Sequence, residues 1–482
     1  MQRKALYILL AILPSVTGCK KYLDQQPDST WTQLDTPEKV SQLLGTAYPQ
    51  ANYMAFTEAS SDNVADKGTG VDLRTNRDPF YFEDVQNVNQ DSPEYYWAAA
   101  YTAIAAANNA LLACEKATDT AAYSRQKGEA LVARAYAHFM LVNIFSKTYD
   151  SVTSKTDMGI PYVTEPEDVV FKQYDRKTVS YVYDQIEKDL LAGLPLIRDD
   201  KYKVPKYHFN QKAAYAFAAR FYLYKRDYKK VVTYADLSVP SSDALTYLRP
   251  WNTSYMYKTP LELFNVYSNS SENANLLLVE TNSMYGRYLG QYRFGMNFPM
   301  YRNILGSNAT GGEWCYPAYT YSTADYFVPK LSEYFVKESV NATIGFIYTM
   351  VPLFTAEEVL FNRAEANAYL GNTAAVLDDL NKYASTRITN YDATDHAVTV
   401  AKSKTYYGVS DNRDALLATV LDFKRGEFVQ EGMRWFDLMR YKAAITHVTS
   451  QGETLILGSD DPRRVFQLPV TAKTSGLPMN PR

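Results

Sequence analysis

Twice along this chain the same pattern returns: a helix-forming run with Tyr-Leu near its end, a two-residue break, and a second amphipathic run rich in Ala with Leu or Val. The first copy is Gln211 to Lys225, a break at Arg226-Asp227, then Tyr228 to Val239. The second is Ala356 to Leu370, a break at Gly371-Asn372, then Thr373 to Arg387. No other feature limits the fold as much. Helices of this length are marginal alone in water, and a two-helix unit cannot bury its own apolar face, so such units must stack on one another or on further helices. The chain supplies those helices. Thr36-Pro37-Glu38 starts one by N-cap and N1-proline chemistry, carrying Val40, Leu43, Leu44 and Tyr48. Ser92-Pro93 starts a second, whose many alanines allow close helix approach. Arg125 to Phe145 places Leu131, Ala135, Tyr136, Phe139, Val142 and Phe145 along one side, and another helix runs from near Thr178 through Val182, Ile186, Leu190 and Leu194. The expected fold is all-α.

Each helix pair resembles the tetratricopeptide helix-turn-helix. The spacing fits, but the tryptophan and terminal proline positions of that repeat are missing, so plain helical hairpins remain the other reading. Between the pairs, residues 240–355 lose the helical period and fill with Pro, Gly, Asn, Ser and Tyr. Minor short strands such as Leu276 to Glu280 are expected there, and residues 60–92 form a second irregular stretch. Long loops on a helical scaffold are where binding residues collect. After the second pair the chain turns a corner at Phe423 to Lys442. A helix from near Arg413 is expected to be C-capped by Gly432, and Trp435, Phe436, Leu438 and Met439 begin the next. Arg425, Glu427, Glu431, Arg434, Asp437 and Arg440 alternate in sign through this corner, as either a set of ion pairs locking it or an active constellation.

The net charge of -3 offers no basic face for nucleic acid. Arg3 and Lys4 precede an apolar run from Ala5 to Val16, which reads as a secretory leader too short to span a bilayer. Val16-Thr17-Gly18-Cys19 resembles a bacterial lipobox, so lipidation is expected at Cys19, with residues 1–18 removed and 19–35 left as a tether to the membrane. Cys114 and Cys315 show no framework or metal spacing and are expected to be buried, unpaired thiols. His138, His208, His396 and His447 are scattered without metal-ligand or nucleophile-base spacing, and His138 is expected to pack inside its helix. No phosphate-cradling Gly-rich loop is present. These residues point to no catalytic group, no metal and no cofactor.

A binding site has more support. The chain holds 42 Tyr, a residue with an apolar face and a polar rim. Sugar rings present C–H faces that stack on such side chains, while Asn, Asp and Arg bond their hydroxyls. The loops place Arg74, Asn76 and Tyr81 in one group, Tyr285, Tyr288 and Tyr292 in another, and Trp314, Tyr316, Tyr319 and Tyr321 in a third. The alternative is that these rings bury the loops against the scaffold.

Motifs along nearly the whole chain carry a resemblance. They are the lipobox at Cys19 with Tyr22-Leu23-Asp24 and Pro27 after it, Trp97 to Asn108, and the run from Gly128 to Phe139. Gly159-Ile160-Pro161-Tyr162, Asn362 to Asn381, Glu431 to Arg440 and the closing Leu468-Pro469-Val470 to Asn480-Pro481 continue it. In this order and spacing the chain resembles the SusD/RagB family of outer-membrane nutrient-binding lipoproteins. That resemblance implies an all-α body of four tetratricopeptide-like units with a large irregular region carrying much of the ligand surface. It also implies a cell-surface protein, not an enzyme, that captures an oligosaccharide or sometimes a peptide and passes it to a SusC-like TonB-dependent transporter. One domain is then expected over residues 36–482, with a helical scaffold over about 36–239 and 356–445 and a ligand-side region over about 240–355. A surface glycosidase and a helical-repeat envelope scaffold are the readings from other classes. Lys20-Lys21-Tyr22 follow Cys19 without an acidic run, so an outward-facing position rests on the resemblance.

Overall fold

The computed structural model describes residues 33–167, 173–322 and 324–482. The leader, Cys19 and the tether as far as residue 32 lie outside the described residues. The chain begins with α1 (Pro37–Leu44), where the Thr36 side chain accepts the Lys39 N–H and Pro37 opens the first turn, as its sequence predicts. Two short helices follow, α2 (Met54–Ala59) and α3 (Arg74–Phe80), with the two-residue strand β1 (Ala65–Asp66) between them. Then come the long helices α4 (Pro93–Lys116), α5 (Ser124–Phe145) and α6 (Val179–Gly193). Ala100, Ala103 and Ala107 of α4 are buried, and α5 is buried nearly all round and not only along the side that its sequence marks as apolar.

The helix pair that constrains the fold is present twice. In the first copy α7 (Gln211–Lys225) and α8 (Tyr228–Ser238) join through Arg226, whose φ of 62° makes a left-handed cap. The second copy, α12 (Ala356–Leu370) and α13 (Thr373–Arg387), joins at Gly371. Buried charges fasten one pair to the other. Arg220 of α7 pairs with Glu358 of α12, and Arg363 of α12 reaches Asp379 of α13 at 2.7 Å and Asp236 of α8 at 3.0 Å.

Residues 240–355 are less irregular than their composition suggests. They hold the helices α9 (Pro260–Tyr267), α10 (Tyr285–Tyr288) and α11 (Phe298–Leu305), and six strands: β2 (Asn275–Asn282), β3 (Phe294–Gly295), β4 (Tyr319–Thr320), β5 (Tyr326–Phe327), β6 (Glu333–Lys337) and β7 (Gly345–Thr355). Strand β7 is central in an antiparallel β2-β7-β6 sheet and runs directly into α12, whose N-cap is Thr355. The apolar run Leu276-Leu277-Leu278-Val279 lies buried on both faces of β2, so it shows no period-2 alternation in sequence.

At the corner, α14 (Val400–Tyr407) leads to α15 (Asn412–Glu427) and α16 (Met433–Arg440), and the hairpin β8 (Ile445–Val448) with β9 (Thr454–Leu457) follows. Helix α15 ends at Glu427, ahead of Gly432, and Gly432 with φ 70° is instead the residue preceding α16. The reason is close approach: a Cβ there would sit 2.3 Å from Thr57 Oγ1 and 2.9 Å from Met54 Cα of α2. The six alternating charges are spoken for. Glu427 pairs with Arg387 at 2.8 Å, Glu431 with Lys330 at 2.8 Å, Arg434 with Asp62 at 2.8 Å and Arg440 with Glu365 at 2.8 Å. Asp437 holds Lys424 at 2.9 Å and Arg440 at 2.7 Å, while Arg425 donates to Asn63 Oδ1 at 2.8 Å. The corner is therefore an ion-pair clamp joining Asp62 in the turn after α2, Glu365 of α12, Arg387 of α13 and Lys330 of the irregular stretch. The main apolar core runs from Val40 to Leu477, and a smaller separate cluster of Val64, Phe80 and Phe294 joins α3 to β3.

Candidate functional site

The two irregular stretches, far apart in sequence, are knitted into one layer. Strand β1 pairs with β3, and Val71 forms a bridge with Tyr292. Gly70, at φ 115°, permits this: a Cβ there would lie 2.6 Å from the Gln291 carbonyl oxygen. The Asn76 side chain donates to Phe294 O at 2.9 Å and accepts the Phe294 N–H at 3.3 Å, replacing a strand partner. Arg293 pairs with Asp66 through two bonds of 2.8 and 3.0 Å. Burial works to raise the Asp66 pKa, but the Arg293 guanidinium and donors from Ser450 and Gly68 overcome it and hold the carboxyl well below the usual range. Asp91 accepts the Ser283 hydroxyl at 2.5 Å and the Met284 N–H at 2.8 Å. Burial outweighs both bonds and pushes its pKa up to about 6.

On this layer sits the β4-β5 hairpin, fixed by Tyr326 N–H donating to Met296 O at 3.0 Å and by the Gln430 side chain, which accepts the Val328 N–H and donates to Tyr326 O. Both faces of the hairpin carry rings. On one side Tyr321, 56% exposed, lies nearly parallel to Phe327 at 4.7 Å. On the other, Phe298, 51% exposed, and Tyr301 flank Tyr326 at 5.5 and 5.7 Å. Polar groups stand beside them. Lys67 pairs with Asp325 and donates to Gly290 O at 3.3 Å, and burial outweighs that pairing to lower the Lys67 pKa. Ser322 donates to Asp325 at 2.6 Å, and Arg302 and Asn303 are exposed. Half-exposed rings with paired polar neighbours can stack on the C–H face of a ligand ring and bond its hydroxyls. A separate cleft of about 770 Å³ opens where residues 82–89 face residues 463–470, with Trp435 and Phe466 among its walls.

The residues named from sequence divide by burial. Arg74 is exposed and lies 3.3 Å from Asp78. Tyr81 is half-buried edge-on to Phe294, and Tyr285 and Tyr288 each pack against Tyr292. Asn76, Tyr285, Tyr292 and Tyr316 are buried. Tyr285 donates to Gln430 O at 3.0 Å, and Tyr316 donates to Glu427 at 2.5 Å. Trp314 is half-buried against Tyr383 and Phe423, and Tyr319 lies on the hairpin and donates to Lys258 O at 2.9 Å. Sequence reading did not single out Phe298, Tyr301, Tyr326 or Phe327. The aromatic pairs Phe298/Tyr301 and Tyr326-Phe327 within the loop-rich stretch were the available signal.

His138 packs inside α5 with Nδ1–H donating to Arg134 O at 2.9 Å and Nε2 accepting the Val163 N–H at 3.0 Å, and burial lowers its pKa to about 3. Cys114 and Cys315 are free and buried. Among the described residues, no group of three or more His, Cys, Asp or Glu is placed to hold a metal, and no helix is long and apolar enough to cross a membrane.

A SusD-like family model, described as starch-binding and associating with the outer membrane, matches residues 21–223. The SusD/RagB model matches residues 308–468. No curated protein matches the chain. Among solved structures, a SusD superfamily protein from Bacteroides thetaiotaomicron is similar at 19% identity and a TM-score of 0.67, over 93% of this chain and 100% of that one. A SusD-like carbohydrate-binding protein from Bacteroides vulgatus gives 18% identity and a TM-score of 0.65, over 91% and 96%. A laminarin-binding SusD-like protein gives 17% and 0.63, over 93% and 99%. With models of one family matching its N-terminal and C-terminal parts and the same fold recurring over nearly its full length, the chain belongs to the SusD/RagB family.

Proposed function

We propose that this protein is a non-catalytic glycan receptor of the outer membrane, anchored through lipid at Cys19, facing outward, and delivering oligosaccharide to a SusC-like TonB-dependent transporter. The observation that carries the reading is the β4-β5 hairpin, which leaves the rings of Tyr321 and Phe298 half exposed beside the Lys67–Asp325 pair on a rigidly knitted layer. The likeness to a laminarin-binding protein supports glycan over peptide as the ligand. Within this reading Arg74, Tyr81, Tyr288 and Tyr319 extend the ligand surface, and Trp314 borders it. Asn76, Tyr285, Tyr292 and Tyr316 support the surface from beneath. The test is affinity measurement of the purified full chain in detergent against a broad panel of oligosaccharides with peptides included. Saturable glycan binding without bond cleavage is expected. Binding of peptides alone, or turnover of the glycan, would overturn the reading.

A further inference from the structure

A second polar concavity lies on the helical scaffold, formed by elements other than those of the loop layer. It holds about 360 Å³ and opens where the α7-α8 turn, α12 and the end of α16 meet. That volume falls within the range of small-molecule pockets. Its charged lining is three cations, Arg226, Arg440 and Lys442, against two carboxylates, Asp150 and Glu365. Glu365 is fully engaged, accepting two bonds from Arg440 at 2.8 and 2.9 Å and one from the Tyr441 hydroxyl at 2.8 Å. Asp150 is engaged by the N–H groups of Val152 and Thr153. Those bonds hold its carboxyl below the usual range, and the charges of Arg226 and Lys442 add to the effect. Arg226 and Lys442 are exposed, and apart from their action on Asp150 neither joins an ion pair among the described residues.

Two further observations single this pocket out. Arg226 and Lys442 both hold left-handed backbone, with φ of 62° and 51°, a conformation that favours glycine over any side chain. Beside them Tyr228 and Tyr369 stack at 4.3 Å with an interplanar angle of 6°, a flat apolar wall.

We propose that this pocket is a binding site for a small ligand bearing a carboxylate or phosphate group. The anion sits between Arg226 and Lys442, and the ligand body lies against the Tyr228–Tyr369 stack. Anions prefer such convergent cations because a guanidinium donates to oxyanions in fixed geometry.

The test uses the full chain in detergent at low ionic strength, with glucuronate as carboxylate probe, inorganic phosphate as phosphate probe, and glucose and matched chloride as controls. A saturable rise in melting temperature with glucuronate or phosphate is expected, absent with glucose and chloride. Whichever anion acts at the lower concentration identifies the chemistry. Arg226→Gly and Lys442→Gly relieve the backbone, so both variants are expected to fold at least as stably as the parent while weakening the response at least tenfold. An equal response to chloride, an unchanged response in the double glycine variant, or no saturable response would overturn the site.

Discussion

The interior of the second helix pair and the β4-β5 hairpin are built from the same residue types and put them to opposite uses. In the interior, Tyr316 and Tyr383 are buried and their hydroxyls converge on Glu427, which also receives Arg387 at 2.8 Å. Arg387 continues to Glu357, and Glu357 to Arg249 at 2.8 Å. At the hairpin, Tyr321 and the neighbouring Phe298 of α11 rest on one ring each and keep much of their surface in water. An aromatic residue whose every edge is occupied holds elements together, whereas one stacked on a single face has the other free for a ligand. Burial and partner count separate the two roles; residue type does not.

The largest effect is expected from breaking the interior. Glu427→Ala leaves Arg387 buried with an unmatched charge beside Glu357, and a loss of about 3–5 kcal/mol follows by denaturant unfolding. Glycan affinity of the surviving folded fraction should hardly change. A stable Glu427→Ala protein that no longer binds glycan would erase the distinction between the two regions.

Next in size is Asp91, which ties residues 83–92 to the turn after β2. Burial raises its folded pKa to about 6 from an ordinary 3.8, so the native state keeps a proton that the unfolded chain has released. Its contribution is complete below pH 3.8 and is lost as pH rises through 6. Asp91→Asn keeps one acceptor and loses the titration. Parent stability relative to this variant should therefore fall by roughly 3 kcal/mol between pH 3.5 and pH 7, from a shift of about two pKa units. A pH-independent difference would mean that the loop layer is not held this way.

Arg434→Ala removes two bonds to Asp62 at the clamp and should cost about 1–2 kcal/mol in stability, more than it costs in ligand binding. The reverse ranking would move the corner into the site. Smallest in stability is Tyr321→Ala. It should change unfolding free energy by about 0.5 kcal/mol or less, as exposed positions do, while weakening glycan binding about tenfold through loss of one stacked face. The same substitution at Tyr316 should show the opposite balance.

Much of the scaffold was legible because helices announce themselves locally. Thr36-Pro37, Ser92-Pro93 and the Gly371 break each act through neighbours within four residues, and the structure places caps and turns there. The sheet was harder to see because β2 and β7 pair across some 70 residues and β2 is buried on both faces, which erases alternation. The candidate surface was legible only as an inventory. Arg74, Tyr81, Tyr288, Tyr319 and Tyr321 were nameable as loop aromatics and polars, but nothing in their spacing distinguished them from Tyr285, Tyr292 and Tyr316, which are buried.

By itself, the sequence determined the helical repeat, the capping chemistry at Thr36 and Ser92, the clamp-like charge alternation at Phe423 to Lys442, and a motif order that identifies the family. Tertiary structure alone decided which partner each charge takes and which rings stay open. Arg434 meets Asp62 and Glu427 meets Arg387 across hundreds or tens of residues, and Gly432 is required by α2 approaching from the far end of the chain. Helix formation depends on hydrogen bonds between residues four apart, so it can be read along the chain. Burial and ion pairing depend on what arrives from elsewhere, and only the packed fold settles them.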